Sequence, residues 1–490
     1  MQKSAEGIVG GHRSTEGPNG REWQVGSVTQ VDGERRKTEQ MAFPLEAEGE
    51  AGSPKGRRTE PSRAKRETER PAKATGLMEV IVGPENLKKA LKRVLANKGA
   101  PGVDGMTTAE LPSHLRLHWP RVREELLAGT YKPAPVRRVE IPKPGGGVRT
   151  LGIPTVTDRA IQQAIAQVLT PIFDPHFSDA SYGFRPGRSA HQAVAAAQSL
   201  IEEGRTWVVD MDIASFFDAV NHDVLMARAA RKVDDKVLLK LLRAYLNAGV
   251  MEGGLTTQRA HGTPQGGPLS PLLSNIYLDD LDRELARRGH VFVRYADDCN
   301  IYVASERAGT RTMESIARFL AKRLKLRLNE EKSAVAPASK RDFLSFGFTG
   351  GGKPKRRISG KARKRFRRRV KEITRRTRGV SLEQVVAELK TYLRGWIGYF
   401  GFCQTPSVLR ELDSWTRRRL RCFIWKQWKR GRTRYAGLKA RGLNKNQAAL
   451  TAGAAHSHWR MSGSPGMHTA FPVAFFSELG LITLAARCAA

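Results

Sequence analysis

Two aspartates stand side by side at Asp297-Asp298, behind Tyr295-Ala296 and between two apolar runs. Val291, Val293 and Tyr295 alternate with Phe292 and Arg294 before the acids, and Ile301 and Val303 follow them. That is strand period broken by a polar step, so residues 290–305 predict a tight hairpin with both carboxylates at its turn. Two negative charges held against a sheet are costly without cations, and hard oxygen donors of this kind suit Mg²⁺. A solvated Asp-Asp turn would look the same in isolation. A Tyr-x-Asp-Asp string arises by chance in roughly a few per cent of chains this long, so other residues must carry the argument.

A second group of acids closes the apolar run Trp207-Val208-Val209 at Asp210, Asp212 and Asp218. Residues 206–218 predict a buried strand ending in acids, with a helix from about His222. Asp218 is the best placed of the three to cap that helix instead. Upstream, residues 131–154 predict a β-hairpin with Lys143 at a Gly145-Gly146-Gly147 tip and Arg149 on the returning strand. Glycines admit a ligand close to the backbone, and two cations suit a phosphate chain. An ordinary basic hairpin fits equally well. The loop Gly262-Thr263-Pro264-Gln265-Gly266-Gly267-Pro268-Leu269-Ser270-Pro271 opens into a predicted helix over 272–285. Such a loop can read a nucleotide at the helix N-terminus, or serve as a rigid connector. Two-metal phosphoryl transfer needs a carboxylate cluster that clamps two ions about 4 Å apart. Asp212, Asp297 and Asp298 supply it if strand end and hairpin turn lie side by side. The sum is a nucleotidyl transferase working on a nucleic-acid duplex.

The elements around these residues belong to a large, very basic chain. Its 490 residues carry 84 Lys+Arg against 48 Asp+Glu, a net charge of +36, which points to a polyanion and first to nucleic acid. No apolar run approaches the roughly 20 residues needed to span a bilayer, so no membrane role is expected. The N-terminus lacks a secretory h-region, and Cys299, Cys403, Cys422 and Cys488 show no CxxC spacing. Both facts predict a reducing cytoplasm and no structural zinc. Residues 1–78 read as a disordered polar tail, and an amphipathic helix follows over 85–97. A basic block covers 353–378. Leu382, Val385, Leu389, Leu393, Trp396 and Phe400 then form a core-facing stripe. A predicted helix over 415–430 mixes Trp415, Phe423, Trp425 and Trp428 with Arg and Lys. Cations could meet phosphate there while rings stack on unpaired bases.

With these motifs in this order, residues 79–490 resemble a bacterial group II intron-encoded reverse transcriptase and maturase. Pro101-Gly102-Val103-Asp104-Gly105 resembles the N-terminal finger segment. Ile141-Pro142-Lys143-Pro144 with Arg149-Thr150-Leu151-Gly152-Ile153-Pro154 resembles the finger block that binds the incoming triphosphate. Tyr182-Gly183-Phe184-Arg185-Pro186-Gly187-Arg188-Ser189 is similar to the block after it. Asp212-Ile213-Ala214-Ser215-Phe216-Phe217-Asp218 resembles the first catalytic palm motif. The match makes Asp212 rather than Asp210 the metal ligand, helped by the Ile213 backbone carbonyl, and sets Phe217 where relatives abut the sugar and disfavour ribonucleotides. In Thr263–Asn275, the most family-specific string, Gln265 is implied to contact the templating pair. Leu328-Asn329-Glu330-Glu331-Lys332 resembles a further palm motif, with Lys332 implied as proton donor to pyrophosphate. Phe343-Leu344-Ser345-Phe346-Gly347-Phe348 resembles the last palm block, and residues 355–435 the maturase or X domain.

The resemblance implies an α/β (α+β) right-hand polymerase: fingers over 79–205, a palm with an antiparallel sheet over 206–352, and an α-helical thumb over 353–435. Its implied cofactor is a pair of Mg²⁺ ions on Asp212, Ile213, Asp297 and Asp298, with Asp297 the more important of the paired acids. Its implied partners are group II intron RNA, a DNA target and primer, and dNTPs. Residues 436–490 lack the cysteine pairs of the HNH endonuclease that ends many relatives. They are read as a reduced DNA-binding tail without second-strand cleavage. Two alternatives stand beside this reading. One is a retron or diversity-generating reverse transcriptase, and the other an RNA-binding splicing maturase that does not polymerise.

Overall fold

The computed structural model describes residues 74–142, 148–252, 255–257, 262 and 266–487. Of the polar tail expected over 1–78, residues 1–73 lie outside the described residues. Residues 74–78 are not tail: Ala74 bridges Val233, and Leu77 and Met78 are buried at the start of the Leu77–Ile81 helix.

β1 (Val136–Pro142) and β2 (Val148–Ile153) form the expected antiparallel hairpin, with Arg137 opposite Ile153 and Ile141 opposite Arg149. β3 (Trp207–Met211) begins the palm. β4 (Val250–Glu252) and β5 (Leu255–Thr257) return to the first hairpin, giving a sheet in the order β2-β1-β4-β5. β6 (Val291–Tyr295) and β7 (Asp298–Val303) make the acidic hairpin, and β8 (Ala334–Pro337) completes an antiparallel sheet in the order β6-β7-β3-β8. A small sheet of β9 (Asp342–Phe343), β10 (Phe346–Phe348) and β11 (Arg356–Ile358) leads to the helical C-terminal half.

The palm sheet is a layer between two cores because its strands alternate. Val209 and Met211 of β3 join the core built on the Val156–Phe173 and Ser270–Arg287 helices. Val208, one residue before Val209, joins Val293, Tyr302 and the Ala190–Glu202 helix on the opposite face. Asp210 and Asp212 share the parity of Val208, so the acids belong to that second face. β3 is shorter than the sequence suggests. Ser215 turns left-handed at φ +43, and a short Phe216–Ala219 helix takes over.

In the thumb, the Gly360–Ile373 helix buries Ala362, Phe366, Val370 and Ile373 and exposes Lys361, Lys364, Arg368 and Lys371. Both sets recur at three- and four-residue spacing, so one helix carries an apolar stripe and a cationic stripe. The predicted stripe of the Leu382–Phe400 helix is buried from Val385 on, with Leu382 half-buried and Trp396 packed on Phe366 at 4.7 Å between ring centroids. The next helix starts earlier than expected, at Pro406, where proline suits a first turn, and ends at Gln427. Two of its four expected aromatics run against the stacking idea, while Trp415 and Trp428 are half-buried. Phe423 and Trp425 are each only 1% exposed and fill the core, so they present no ring to an unpaired base. Short helices from Gly431 to Glu478 pack back through Leu438, Phe471 and Phe476, and Asp413 accepts the backbone N–H groups of Leu484 and Ala485. The stretch read as a tail thus shares the thumb core. Among the described residues no helix is long and apolar enough to cross a membrane.

Candidate active site

Strand register brings the acids together. β3 and β7 pair antiparallel, Asp210 with Asn300 and Met211 with Cys299, so the next residue, Asp212, comes opposite Asp298. Asp298 also faces Tyr295 across the β6–β7 hairpin, whose two-residue turn is Ala296-Asp297. Ala296 takes φ +60, the left-handed region that side chains avoid, and strain of this kind persists only where surroundings enforce it. Asp297 and Asp298 are therefore presented at the sheet end, beside the end of β3.

Asp212 is held by the chain beyond it. Its N–H donates to Ser333 Oγ at 3.0 Å, and its carbonyl accepts from Asn329 N at 2.8 Å. Ile213 bridges Leu328 through flanking groups, Ala214 N to Arg327 O and Asn329 N to Asp212 O, so the Ile213 carbonyl takes no part in the bridge. Asp210 has a different partner: Arg341 Nε reaches its Oδ2 at 2.8 Å and Arg341 Nη2 reaches the Lys332 carbonyl at 2.8 Å. Asp210 is thus engaged by a cation of the fold, whereas Asp212 faces Lys332 Nζ at 3.7 Å. Burial, then the neighbouring charges of Asp210, Asp297 and Asp212, push the Asp298 carboxyl well above the usual carboxylate range. Like charges crowd this corner of the sheet.

Among the other predicted residues, Phe217 is buried against Phe216 with ring centroids 5.2 Å apart. Arg149 lies on β2 opposite Ile141. Lys143 and Gln265 lie outside the described residues. The described neighbour Gly266 lies close to the β1–β2 hairpin: a Cβ on Gly266 (φ +123) would sit 2.9 Å from the Gly152 carbonyl oxygen. Sequence reasoning gave no role to Arg341, Ser333 or Arg294. Each acts through partners that strand and helix packing bring beside it, and the alternation around Arg294 gave no sign of them.

Residues 141–348 match the family reverse transcriptase (RNA-dependent DNA polymerase), and residues 363–442 match the group II intron maturase-specific domain. Protein YkfC of Escherichia coli strain K12 is 36% identical over 299 residues, 53% of this chain and 78% of that protein. The group II intron-encoded protein LtrA of Lactococcus lactis subsp. cremoris is 37% identical over 210 residues, 43% of this chain. This chain belongs to the group II intron reverse transcriptase/maturase family. The matched span is 35% of LtrA's own length. A chain of a solved Cas6-RT-Cas1–Cas2 complex aligns over 50% of this chain and 42% of its own length at 26% identity, with a TM-score of 0.34.

The reverse transcriptase domain makes the chain an RNA-directed DNA polymerase that depends on a divalent metal, and the maturase-specific domain implies intron RNA binding. The donors fit such an ion in kind: carboxylate oxygens are hard ligands, and their crowding leaves a charge for a cation to neutralise. They do not form a finished cage. Among the described residues no three acidic, histidine or cysteine side chains converge on one point. That suits an ion that keeps several waters and takes remaining ligands from substrate phosphates. The oxygens at this corner that could meet such an ion are the Asp212, Asp297 and Asp298 carboxylates and the Ile213 carbonyl.

Proposed function

We propose that this reverse transcriptase extends a DNA primer on an RNA template at the Asp212–Asp298 corner of the palm sheet, and that it assists its own intron's splicing and mobility. The β3–β7 register is the observation that carries the reading: it runs to Met211 opposite Cys299, and its next step sets Asp212 against Asp298, joining two motifs far apart in sequence into one rim of carboxylates. Asp212, Asp297 and Asp298, with the Ile213 carbonyl, hold the metal, read as two Mg²⁺ ions. A metal held there would lower the pKa of the primer 3′-hydroxyl and offset charge developing on the transferred phosphate. The hydroxyl gives up its proton to solvent, its oxygen bonds to the α-phosphorus of the dNTP, the bond to the bridging oxygen breaks, and pyrophosphate leaves. Lys332 donates a proton to that leaving group. Lys143 and Arg149 receive the triphosphate, Phe217 lies against the sugar, and Gln265 faces the templating pair.

The cationic stripe of the Gly360–Ile373 helix supplies phosphate contacts for intron RNA. Buried Cys299 and Cys422, which form no disulfide, favour a reducing cytoplasm as the place of work. The test is primer extension on an RNA template with Asp297→Ala as control. Extension by the wild type that the substitution abolishes is the expected result. Extension unaffected by it would sink the assignment, and intron binding without any extension would favour a splicing factor that does not polymerise.

A further inference from the structure

The geometry points to Arg294 as the positioning residue of the Tyr295–Asp298 turn, wired through Asp282 and Asn275 to the Ser270–Arg287 helix. This rests on the reading of Asp297 and Asp298 as catalytic. Arg294 and Asp282 form an ion pair in which both side chains are 0% exposed. Arg294 Nε donates to Asp282 Oδ1 at 2.7 Å and Nη2 to Oδ2 at 2.6 Å, a two-pronged clamp. Nη1 then divides between Asn275 Oδ1 at 3.0 Å and the carbonyl oxygen of Ala296 at 2.7 Å. That last acceptor lies inside the catalytic turn, on its one left-handed residue.

The same turn is gripped from the other side. Asn275 Nδ2 donates to the Gly183 carbonyl at 2.9 Å. A Cβ on Gly183 would lie 2.9 Å from the Tyr295 carbonyl carbon and closer still to the Ala296 nitrogen. The Arg294 backbone pairs with this segment too, its N–H donating to Ala180 O and its carbonyl accepting from Tyr182 N, each at 2.8 Å. A fully buried ion pair adds little stability over a well-packed apolar pair. Its presence is explained by what an apolar pair cannot do, which is to donate to the Ala296 carbonyl and fix a strained turn. The helix that supplies Asn275 and Asp282 also continues the Gln265 loop, so nucleotide-facing loop and metal-bearing turn share one support.

The test removes both buried charges together in the full chain, as the double variant Arg294→Met with Asp282→Leu, so that neither is left unpaired. Thermal unfolding, steady-state primer extension and calorimetric binding of Mn²⁺ alone are measured. The expected outcome is a folded protein with little change in KM for dNTP, kcat lower by about tenfold to a hundredfold, and weaker Mn²⁺ binding, as for reacting groups displaced by about 1 Å. A folded double variant with wild-type kcat and Mn²⁺ binding overturns the proposal. Should the double variant fail to fold, Asn275→Ala keeps the ion pair but loses the contacts to Arg294 and Gly183. A lower kcat at unchanged KM is then expected, and an unchanged kcat overturns the proposal. Asp297→Asn, run alongside, separates the two readings. If it still extends primers, the catalytic assignment falls; if it is dead while the double variant matches wild type, only the role of Arg294 falls.

Discussion

Lys332 Nζ faces Asp212 Oδ2 at 3.7 Å, with the lysine side chain 62% exposed. An ion pair this long and this open contributes about 0–1 kcal/mol, so stability does not account for the lysine. Its backbone is nevertheless pinned, since Arg341 donates to its carbonyl and its own N–H reaches Asn329 Oδ1 at 3.3 Å. An exposed side chain on a pinned backbone, beside a carboxylate proposed to hold metal, suits proton delivery. Lys332→Ala is expected to slow single-nucleotide incorporation by about a hundredfold or more, the lower range for general acid catalysis, with unfolding unchanged. Lys332→Arg should fall between. An unimpaired rate in rapid-quench measurements would remove Lys332 from the mechanism.

Asp298 gives a prediction in which stability and activity move in opposite directions. Its carboxyl is strained by burial and by the charges of Asp210, Asp297 and Asp212. Asp298→Asn keeps the shape and removes the charge. In chelator at neutral pH the variant is expected to unfold at higher temperature than wild type, by a free energy on the order of 1 kcal/mol, while primer extension collapses. Added Mg²⁺ should stabilise the wild type more than the variant. A variant less stable than wild type in chelator would mean that the acids do not repel as their positions imply.

Much of this site was legible before the fold was seen, for definable reasons. The β6–β7 hairpin follows from alternation around Val291–Tyr295, and the thumb helices from stripes at helical spacing, because both patterns are local. The strain at Ala296 was hidden, since glycine normally signals a left-handed turn and alanine does not. The register that sets Asp212 opposite Asp298 depends on pairing between distant strands. Arg294 looked like the polar side of a half-buried strand until Asp282 and Asn275 came beside it. Phe423 and Trp425 misled because aromatics among arginines look the same whether rings face solvent or core. Only the packing of the neighbouring helices decides.

Asp158 offers a pH test away from the metal. It is 1% exposed and accepts from Tyr131 Oη at 2.9 Å, Tyr245 Oη at 3.2 Å, Thr155 Oγ1 at 2.8 Å and Ala134 N at 3.2 Å. Burial outweighs these bonds and raises its carboxyl above the ordinary range. The folded state therefore keeps this proton to higher pH than the unfolded chain, whose value is about 4. Stability from this group should fall as pH rises from about 4 through the raised folded value. Asp158→Asn removes that slope and adds a pH-independent loss of about 1–3 kcal/mol, because an amide cannot replace both carboxylate oxygens as acceptors. The difference between wild-type and variant unfolding free energies should thus decline across that window. A flat difference would mean that the folded carboxyl titrates no higher than the unfolded one.

The cationic stripe of the Gly360–Ile373 helix can be tested apart from its apolar stripe. Lys364, Arg368 and Lys371 are exposed, while Phe366 and Val370 on the other side are buried, so alanine at the three cations leaves the core intact. If the stripe holds RNA through phosphates, each lost contact releases fewer counterions on binding. Wild-type affinity for the intron RNA should then fall steeply with salt. The triple variant should bind more weakly, with a log–log salt slope shallower by about 1 for each contact removed. Its unfolding temperature should match wild type, since surface substitutions of this kind change stability by about 0.5 kcal/mol or less. Weaker binding with an unchanged slope would place the loss elsewhere, and unchanged affinity would take this helix out of the RNA interface.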